Sequence, residues 1–306
     1  MLCGAPETAM SASMNEHQEL RLSIGMPVYN GAATLEAAIR SVLDQSEPNI
    51  EIILSDNGST DATAAIAQRL ADQDKRLRYI RQPVPLSPTE NFAFVLNQAK
   101  APYFMWAAHD DLRDLDTAQR LLEALDHNPG AILAFGDLVE LLNGVPNGRI
   151  LHFANADLSK SARLRQMAFG PLHHLYGIWR TQALRRIEWQ HVDWWHDTPL
   201  MMAASMLGDF VHVPGPRFFY QFNPRPFFGW RHQPGMAGLR HSALEMLKRT
   251  GELVRLVYLC GWSVWQVAGP WRGLEAALYG AIKIITQVSG FVWRRVTGAS
   301  ASVGRA

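Results

Sequence analysis

The sequence predicts an α/β fold in which parallel strands form a sheet and helices cover both of its faces. Between residues 22 and 106, short apolar runs alternate with stretches whose apolar residues recur at helical spacing. Helices of about ten to fifteen residues between strands favour parallel pairing. With 48% hydrophobic residues among 306, the chain is long enough to bury a full core.

Four strands and three helices account for this part of the chain. Each predicted strand is a short apolar run that ends in turn residues, and the strands cover residues 22–26, 50–54, 77–80 and 103–106. The predicted helices cover residues 35–43, 64–70 and 89–99. Farther along, the patterns predict a strand at 131–136, a hairpin at 138–151, a helix at 200–207 and a strand at 210–214.

Two adjacent carboxylates, Asp110 and Asp111, follow the apolar strand at residues 103–106. An ionised carboxylate that leaves water needs a compensating charge, and a divalent cation supplies one. In an open α/β sheet, ligands bind outside the carboxyl ends of the strands, where this pair is expected. The pair therefore predicts a site for Mg²⁺ or Mn²⁺ and phosphate. His109 is predicted to pack rather than to bind the cation, because these metals favour oxygen.

The phosphate-binding motifs of two common nucleotide-binding families are absent. No Gly-x-Gly-x-x-Gly follows the first strand, and no Gly-x-x-x-x-Gly-Lys-Ser/Thr occurs. The first two strands end instead at Tyr29 with Asn30 and at Asp56 with Asn57. An aromatic ring can stack on a base, and a carboxylate can accept hydrogen bonds from a base or ribose. These four residues are the predicted nucleotide-binding set.

Three segments together resemble the signatures of family 2 glycosyltransferases, in the family's order and at its usual spacing. They are Met26-Pro27-Val28-Tyr29-Asn30, Ser55-Asp56-Asn57-Gly58-Ser59-Thr60-Asp61 and Trp106-Ala107-Ala108-His109-Asp110-Asp111. The resemblance covers about residues 21–230. It implies a GT-A fold with a mixed, mainly parallel sheet, a nucleotide-diphosphate sugar as donor, and inversion at the anomeric carbon. It also implies that Pro27, Tyr29 and Asp56 contact the base and ribose.

The resemblance assigns Asp110 and Asp111 to Mg²⁺ or Mn²⁺ on the donor diphosphate. The family's metal motif commonly reads Asp-x-Asp-Asp, and here Ala108 occupies its first position. One ligand is therefore missing, which bears on metal affinity more than on metal use. Asp110 is the first choice of ligand, since it occupies the last position of the Asp-x-Asp pattern.

A general base is expected downstream of the acidic pair, because the acceptor hydroxyl is a weak nucleophile until its proton is removed. In the family, the base precedes a helix that ends in Gly and leads into a strand, and Asp197 has the matching distance to Gly208. Asp197 is the predicted base, with Asp193 in reserve. Asp197 could also be the N-cap of the following helix. Both roles are compatible, because a positive helix end keeps the carboxylate ionised.

Tyr176, Gly177 and Arg180 lie in a segment that resembles the family's acceptor side, where a Gly lets the substrate approach closely. A substrate-binding role is predicted for these three residues. The Gln-x-x-Arg-Trp motif of the family's processive synthases is absent, since Gln221 precedes Arg225 by one residue too many. The resemblance therefore implies a non-processive enzyme.

Three regions are predicted: a disordered leader at 1–20 without a secretory signal, a GT-A catalytic domain at 21–235, and an amphipathic helical region at 236–306. The helical region has two interpretations. Its helices either lie in the membrane interface or pack on the catalytic domain or a second subunit. The first interpretation is preferred, and it places four side chains at headgroup level, Trp262, Trp265, Trp271 and Trp293.

The predicted function is transfer of a sugar, with a UDP-sugar as the expected donor, to a hydroxyl of a glycan or lipid-linked acceptor in cell-surface polysaccharide or glycolipid assembly. The formal net charge of +1 gives no attraction to nucleic acid. Cys3 and Cys260 have neither disulfide nor metal spacing, so a cytoplasmic location is expected, peripheral on the inner face of the cell membrane. An oligomer is compatible with the sequence.

Two alternatives belong to other classes of protein. The first is a catalytically inactive protein that binds nucleotide-sugar, which is suggested by Ala108. The second is a membrane-peripheral scaffold in which the C-terminal helices are the working part.

Overall fold

The described residues of the computed structural model form a nine-stranded sheet at the centre of the protein. These residues are 19–142, 144–151, 155, 157–170, 172–189, 197–222 and 243–297. The strands are β1 Leu22–Val28, β2 Ile50–Asp56, β3 Leu77–Arg81, β4 Tyr103–Trp106, β5 Leu112–Arg113, β6 Ala131–Leu142, β7 Val145–Leu151, β8 Ile178–Arg180 and β9 Asp209–Phe222. Their order in the sheet is β3-β2-β1-β4-β8-β6-β9-β5, and β7 pairs with β6.

Helices in the described ranges connect and cover these strands. They are α1 Leu35–Leu43, α2 Thr63–Gln73, α3 Pro88–Asn97, α4 Thr117–His127, α5 Lys160–Phe169, α6 Thr181–Leu184, α7 Asp197–Leu207, α8 Ala243–Ala268 and α9 Pro270–Thr297. A 3-10 turn covers His173–Tyr176. Every helix predicted before residue 210 is present within a few residues of its predicted bounds.

The sheet is mixed, as predicted. Strands β3, β2, β1 and β4 pair in parallel, and β6 pairs in parallel with β9. Strand β8 pairs antiparallel with both β4 and β6, and so joins the two parallel parts. Because β8 runs against β4, the chain that follows the 3-10 turn moves from the carboxyl end of β4 toward its amino end.

Alternation along the strands sends neighbouring side chains to opposite faces of the sheet. Ile52 and Leu54 of β2 pack in a core with α1, α2 and α4, whereas Ile53 packs in a second core with α3, α5 and α7. In β4, Met105 belongs to the first core and Trp106 to the second. The prediction of helices on both faces is confirmed.

The sheet opens at the carboxyl end of β1. The ladder between β1 and β4 ends where Gly25 lies opposite Trp106, and one further bond joins the N–H of Ala107 to the carbonyl of Gly25 at 2.9 Å. The next residue of β1 that faces this side is Pro27, which has no N–H to donate. The two strands therefore separate where the acidic segment begins.

Strand β4, which leads into the acidic segment, is held by aromatic packing. Trp106 is fully buried, and its Nε1 donates to the carbonyl of Phe92 at 3.1 Å. Its ring meets Phe104, Trp179 and Trp189 edge-on, with centroid distances of 5.0, 6.4 and 5.6 Å. The acidic residues thus start from a fixed position in the core.

Strand β9 is longer than the predicted strand at 210–214. It extends to Phe222, so Phe218 and Tyr220 belong to the sheet instead of an irregular aromatic segment. The strand pairs with β6 on one side and with β5 on the other, and its register on β6 shifts near Gly215. The predicted hairpin is present as β6 and β7, with Gly144 at a φ of 79° in the turn.

The C-terminal helices share the core of the sheet. Leu256, Cys260 and Val264 of α8 and Ala276 of α9 are buried in the same core as Trp106. The Ser263 hydroxyl donates to the carbonyl of Glu188 at 2.6 Å. Packing on the catalytic domain is therefore the interpretation that the structure supports, and contact with a membrane stays a prediction.

In the described ranges, no helix contains a segment long and apolar enough to cross a membrane. The predicted leader falls mostly on residues 1–18, and the predicted boundary between residues 235 and 236 falls within 223–242. Both lie outside the described residues, so these divisions stay predictions.

Candidate active site

The predicted metal pair lies directly after β4, and its two members have different surroundings. Asp110 is partly exposed and accepts no hydrogen bond from any described residue. Asp111 is only 2% exposed. Its Oδ1 accepts the N–H of Gln221 at 3.2 Å, and its buried Oδ2 has no partner within the described ranges.

Burial raises the pKa of the Asp111 carboxyl to about 7. The negative charge of Asp110 raises this pKa further, while Arg113 and the bond from Gln221 lower it. An acidic group with a pKa near neutrality and a free buried oxygen is ready for a compensating positive charge. This is the environment expected of a ligand to a divalent cation.

Arg113 is a buried cation next to this pair that the sequence interpretation missed. One of its terminal nitrogens donates to the carbonyls of Trp106 and Tyr176, at 3.0 and 3.2 Å, and its guanidinium lies 4.7 Å from the centroid of the Phe218 ring. Burial lowers its pKa to about 10, and Asp111 opposes that effect. Arg113 therefore joins β4, the 3-10 turn and β9 behind the acidic pair. An Arg two residues after two acids was the available signal.

Tyr176 interacts electrostatically with both the acidic pair and Asp197. Burial raises the pKa of its hydroxyl well above the usual range, and the negative charges of Asp111, Asp197 and Asp110 raise it further. One phenol thus lies within electrostatic reach of three predicted site carboxylates. Tyr176 therefore interacts electrostatically with Asp110, Asp111 and Asp197, although these residues are distant in sequence.

Asp197 is the first residue of α7 and is partly buried. Its Oδ1 accepts the N–H of the next residue, Thr198, at 2.8 Å. A capping side chain accepts the N–H two or three residues farther on, so the capping role of Asp197 stays a prediction. The second carboxylate oxygen lies outside this bond. Asp193, the reserve base, lies outside the described residues.

Asp56, the predicted nucleotide-binding carboxylate, is fully buried at the carboxyl end of β2. It accepts the N–H of Ser59 at 2.8 Å, the Tyr79 hydroxyl at 2.9 Å and a guanidinium nitrogen of Arg81 at 3.2 Å. Tyr29 follows the paired end of β1, and its side chain is 55% exposed. An exposed ring beside a buried carboxylate suits a base that stacks and donates hydrogen bonds.

The side chains of Asn30 and Asn57 are engaged in the fold. Asn30 has a φ of 51°, and its Oδ1 accepts the N–H of Thr60 at 2.8 Å. The Asn57 amide pairs with the backbone of Leu86 in both directions, at 2.7 and 2.8 Å. These bonds join the loops that follow β1, β2 and β3. A nucleotide contact by either amide stays a prediction.

Gly177 lines a pocket together with Arg113 and Tyr176, so its substrate role stays a prediction, whereas Arg180 lies away from the acidic pair. A Cβ at Gly177 would overlap the carbonyl oxygen of Ala134, so close approach of β6 explains this glycine without a substrate. Arg180 lies opposite Tyr103, at the amino end of β4, and donates to the carbonyls of Ala131 and Leu125 at 2.8 and 2.7 Å. Because β8 is antiparallel to β4, Arg180 is carried to the edge of the sheet opposite Asp110.

The residues present fit a divalent cation that is shared with a diphosphate. No group of three His, Cys, Asp or Glu side chains in the described ranges forms a metal site. Mg²⁺ commonly binds through one or two carboxylates plus phosphate oxygens and water, and so needs no third protein ligand. Asp110 and the Oδ2 of Asp111 would be the carboxylate ligands of such a cation. His109 packs instead against α1, with its Nδ1 3.2 Å from the Thr34 hydroxyl.

The family model for glycosyl transferase family 2 matches residues 23–186, which is more than half of the chain. The chain belongs to glycosyltransferase family 2. The match contains all three sequence signatures and ends before Asp197. The predicted family is therefore confirmed.

Curated relatives of this family 2 glycosyltransferase carry related descriptions. An uncharacterized glycosyltransferase of Haemophilus influenzae is 36% identical over 107 residues, which is 35% of this chain and 43% of that protein. A GalNAc(5)-diNAcBac-PP-undecaprenol beta-1,3-glucosyltransferase of Campylobacter jejuni is 34% identical over 92 residues, 30% of each chain. The putative teichuronic acid biosynthesis glycosyltransferase TuaG of Bacillus subtilis is 29% identical over 43% of this chain and 52% of that protein. The matches span about half or less of these relatives.

Solved structures of S. aureus TarS have the same fold. TarS 1-349 superposes with a TM-score of 0.63 and 14% identity over 93% of this chain and 75% of that chain. The complex of TarS 1-349 with UDP-GlcNAc gives a TM-score of 0.58 and 15% identity over 92% and 93%. The GT-A type fold with C-terminal helices is confirmed, and at this identity the likeness concerns the fold alone.

Proposed function

We propose that this chain transfers a sugar from a nucleotide-diphosphate sugar to an acceptor hydroxyl, with inversion at the anomeric carbon and one addition per acceptor. The observation that carries the proposal is the acidic pair after β4, in which Asp111 is buried and its Oδ2 has no partner within the described ranges. The pair follows the carboxyl end of a parallel strand, where open α/β folds bind ligands.

The proposed donor is a UDP-sugar. TarS, which shares the fold, binds UDP-GlcNAc. In this chain the exposed ring of Tyr29 would stack on the base, and Asp56 would accept hydrogen bonds from it. Pro27 would contact the nucleoside from the end of β1. Asp56 already binds Arg81, so the donor would have to share that carboxylate with the guanidinium.

The proposed reaction forms one bond and breaks one. The acceptor oxygen attacks the anomeric carbon from the face opposite the leaving group, and its proton passes to the Asp197 carboxylate. The bond from the anomeric carbon to the diphosphate oxygen breaks, and the nucleoside diphosphate leaves with that electron pair. A bound Mg²⁺ or Mn²⁺ would stabilise the charge on the leaving phosphates as a Lewis acid. Asp110 and Asp111 would hold it, with Arg113 keeping this segment in place.

The proposed acceptor is a glycan or a lipid-linked sugar in cell-surface polysaccharide or glycolipid assembly. The name of the Campylobacter relative describes transfer to an undecaprenyl-diphosphate-linked glycan, and that of TuaG describes teichuronic acid synthesis. Exposed apolar side chains on α8 and α9 agree with work at a membrane surface; they include Tyr258, Trp265, Trp271, Leu274 and Leu278. Peripheral contact at the inner face of the cell membrane is proposed on this ground.

A panel of nucleotide-sugars with and without Mn²⁺ tests the donor. A ligand that binds only the native state at one hundred times its Kd adds about 2.7 kcal/mol to the stability. We expect UDP-sugars to raise the melting temperature in the presence of Mn²⁺ and to do so much less without it. No shift with any nucleotide-sugar at millimolar concentration would contradict the proposal and favour a scaffold.

The Asp197→Asn variant tests the catalytic assignment. It should keep the Mn²⁺-dependent melting shift and lose donor hydrolysis and transfer by a factor of about 100 or more. Asp72→Asn, which changes an exposed acid on α2, is the matched control and should retain the wild-type rate. A wild-type protein that binds donor and never turns it over would instead support the inactive alternative.

Flotation with vesicles containing anionic lipid, compared between wild type and Trp271→Ser, tests the membrane contact.

A further inference from the structure

Lys283 of α9 is a largely buried lysine that contacts the first turn of α7. Its Nζ donates to the hydroxyl of Thr198 at 3.0 Å. Thr198 is 1% exposed, and it follows Asp197 directly in the chain. The first turn of α7 therefore carries both the proposed base, Asp197, and the Thr198 hydroxyl that accepts the hydrogen bond from Lys283.

The ammonium group of Lys283 interacts electrostatically with the proposed base. Burial lowers the pKa of Lys283, and the negative charge of Asp197 opposes that effect most, followed by Cys260. Burial raises the pKa of the Cys260 thiol to about 12, which Lys283 lowers and Asp197 raises. Asp197, Lys283 and Cys260 thus form one electrostatic group contributed by α7, α9 and α8. Tyr176 faces Asp197 from the 3-10 turn.

Lys283 and Asp197 compensate each other's charge. An ammonium group loses hydration when it is buried, and the amino end of α7 carries a partial positive charge that repels it. The negative charge of Asp197 acts against both effects. Removing one partner of such a pair leaves the other without its opposite charge, so Lys283 belongs to the charge balance of the turn that carries the proposed base.

We propose that Lys283 is a positioning residue for Asp197, which ties α9 to the first turn of α7 and fixes the carboxylate for proton removal from the acceptor. This inference rests on the proposed function of Asp197. It gives the C-terminal helices a part in catalysis, because α9 reaches the site through one hydrogen bond and one charge. The donor lies at the ends of β1, β2 and β4 and should not depend on Lys283.

Three variants separate the effect of the hydrogen bond between Lys283 and Thr198 from the effect of the Lys283 charge. Lys283→Met removes both and retains the apolar stem, Thr198→Val removes only the hydroxyl, and Lys283→Arg retains the positive charge. Lys160→Met, an exposed lysine on α5, is the matched control. Each protein is measured for melting temperature, for the dissociation constant of UDP with Mn²⁺, for hydrolysis of the UDP-sugar that stabilises wild type, and for hydrogen exchange of the amides of Thr198, Leu200 and Met201.

For Lys283→Met we expect kcat to fall about tenfold or more, since a small displacement of a catalytic group has effects of this size. The KM for donor and the dissociation constant of UDP should stay close to wild type, and the amides of Thr198, Leu200 and Met201 should exchange faster. The kcat of Thr198→Val should lie between those of wild type and Lys283→Met, and Lys283→Arg should retain part of the wild-type kcat. Lys160→Met should match wild type in every measurement.

Lys283→Met with wild-type kcat and wild-type exchange would overturn the inference while leaving the proposed function intact. A fall in kcat that only follows a lower melting temperature would also overturn it, because that is the signature of a structural role. If wild type hydrolyses no nucleotide-sugar, the proposed function fails. The exchange measurement then still decides whether Lys283 holds the first turn of α7.

Discussion

The buried carboxyl of Asp111 should make the stability of the protein depend on pH. Its pKa in the folded protein is about 7, against 3.8 for an ordinary Asp side chain. The folded state therefore binds more protons than the unfolded state between these values, and stability falls as pH rises through this window. Each unit of pKa difference corresponds to about 1.4 kcal/mol, so the full loss reaches about 4 kcal/mol above pH 7.

Asp111→Asn removes this loss because the amide does not ionise. Arg113 is charged at both pH 5 and pH 8, since its pKa is about 10. Its attraction for the ionised Asp111 carboxylate, which the variant loses at pH 8, is already contained in the pKa of about 7. The free energy of unfolding of the variant minus that of wild type should therefore be about 3 kcal/mol larger at pH 8 than at pH 5.

Urea unfolding at the two pH values, in buffer with a chelator to keep the site free of metal, measures this difference. Asp72→Asn is the control, because its exposed carboxylate on α2 is screened by solvent and should give nearly the same difference at both pH values. A value for Asp111→Asn that is unchanged between pH 5 and pH 8 would refute the assignment of a raised pKa to this group.

Two further substitutions test the packing and the nucleotide site. Gly177→Ala should lower the free energy of unfolding by about 3 kcal/mol, because the added methyl group meets the carbonyl of Ala134. Urea unfolding measures this loss, and a change below about 0.5 kcal/mol would contradict the close approach of β6. Tyr29→Ala should weaken UDP binding about tenfold in calorimetry, whereas Tyr29→Phe keeps the stacking ring and should bind like wild type. Equal affinities of Tyr29→Ala and Tyr29→Phe would remove Tyr29 from the proposed site.

The parallel half of the sheet was predictable from local patterns. Its strands are buried on both faces and read as short apolar runs, and its helices show apolar residues three or four apart. The acidic pair was predictable for a related reason, since two carboxylates after a buried strand have few structural explanations. The family resemblance then located Asp197, which local pattern alone would have assigned to a helix cap.

The remaining parts depend on long-range pairing, which local pattern does not contain. Arg180 was placed in the substrate site because it is near Tyr176 in sequence, but β8 is antiparallel and carries it to the other edge of the sheet. Arg113 and Lys283 acquire their positions from contacts with residues more than sixty positions away in the chain. Lys283 is a lone cation in an apolar stretch and has no periodic signal, and the signal for Arg113 was limited to its position two residues after the acidic pair.

The central claim is that the acidic pair after β4 holds a divalent cation on a nucleoside diphosphate whose base lies against Tyr29. A crystal structure with UDP and Mn²⁺, with data collected to locate manganese by its anomalous scattering, tests this claim most directly. The account predicts one manganese peak bonded to Asp110 or Asp111 and to both phosphates, with uracil stacked on Tyr29. Nucleotide bound at full occupancy elsewhere on the protein, or manganese bound away from these carboxylates, would contradict it.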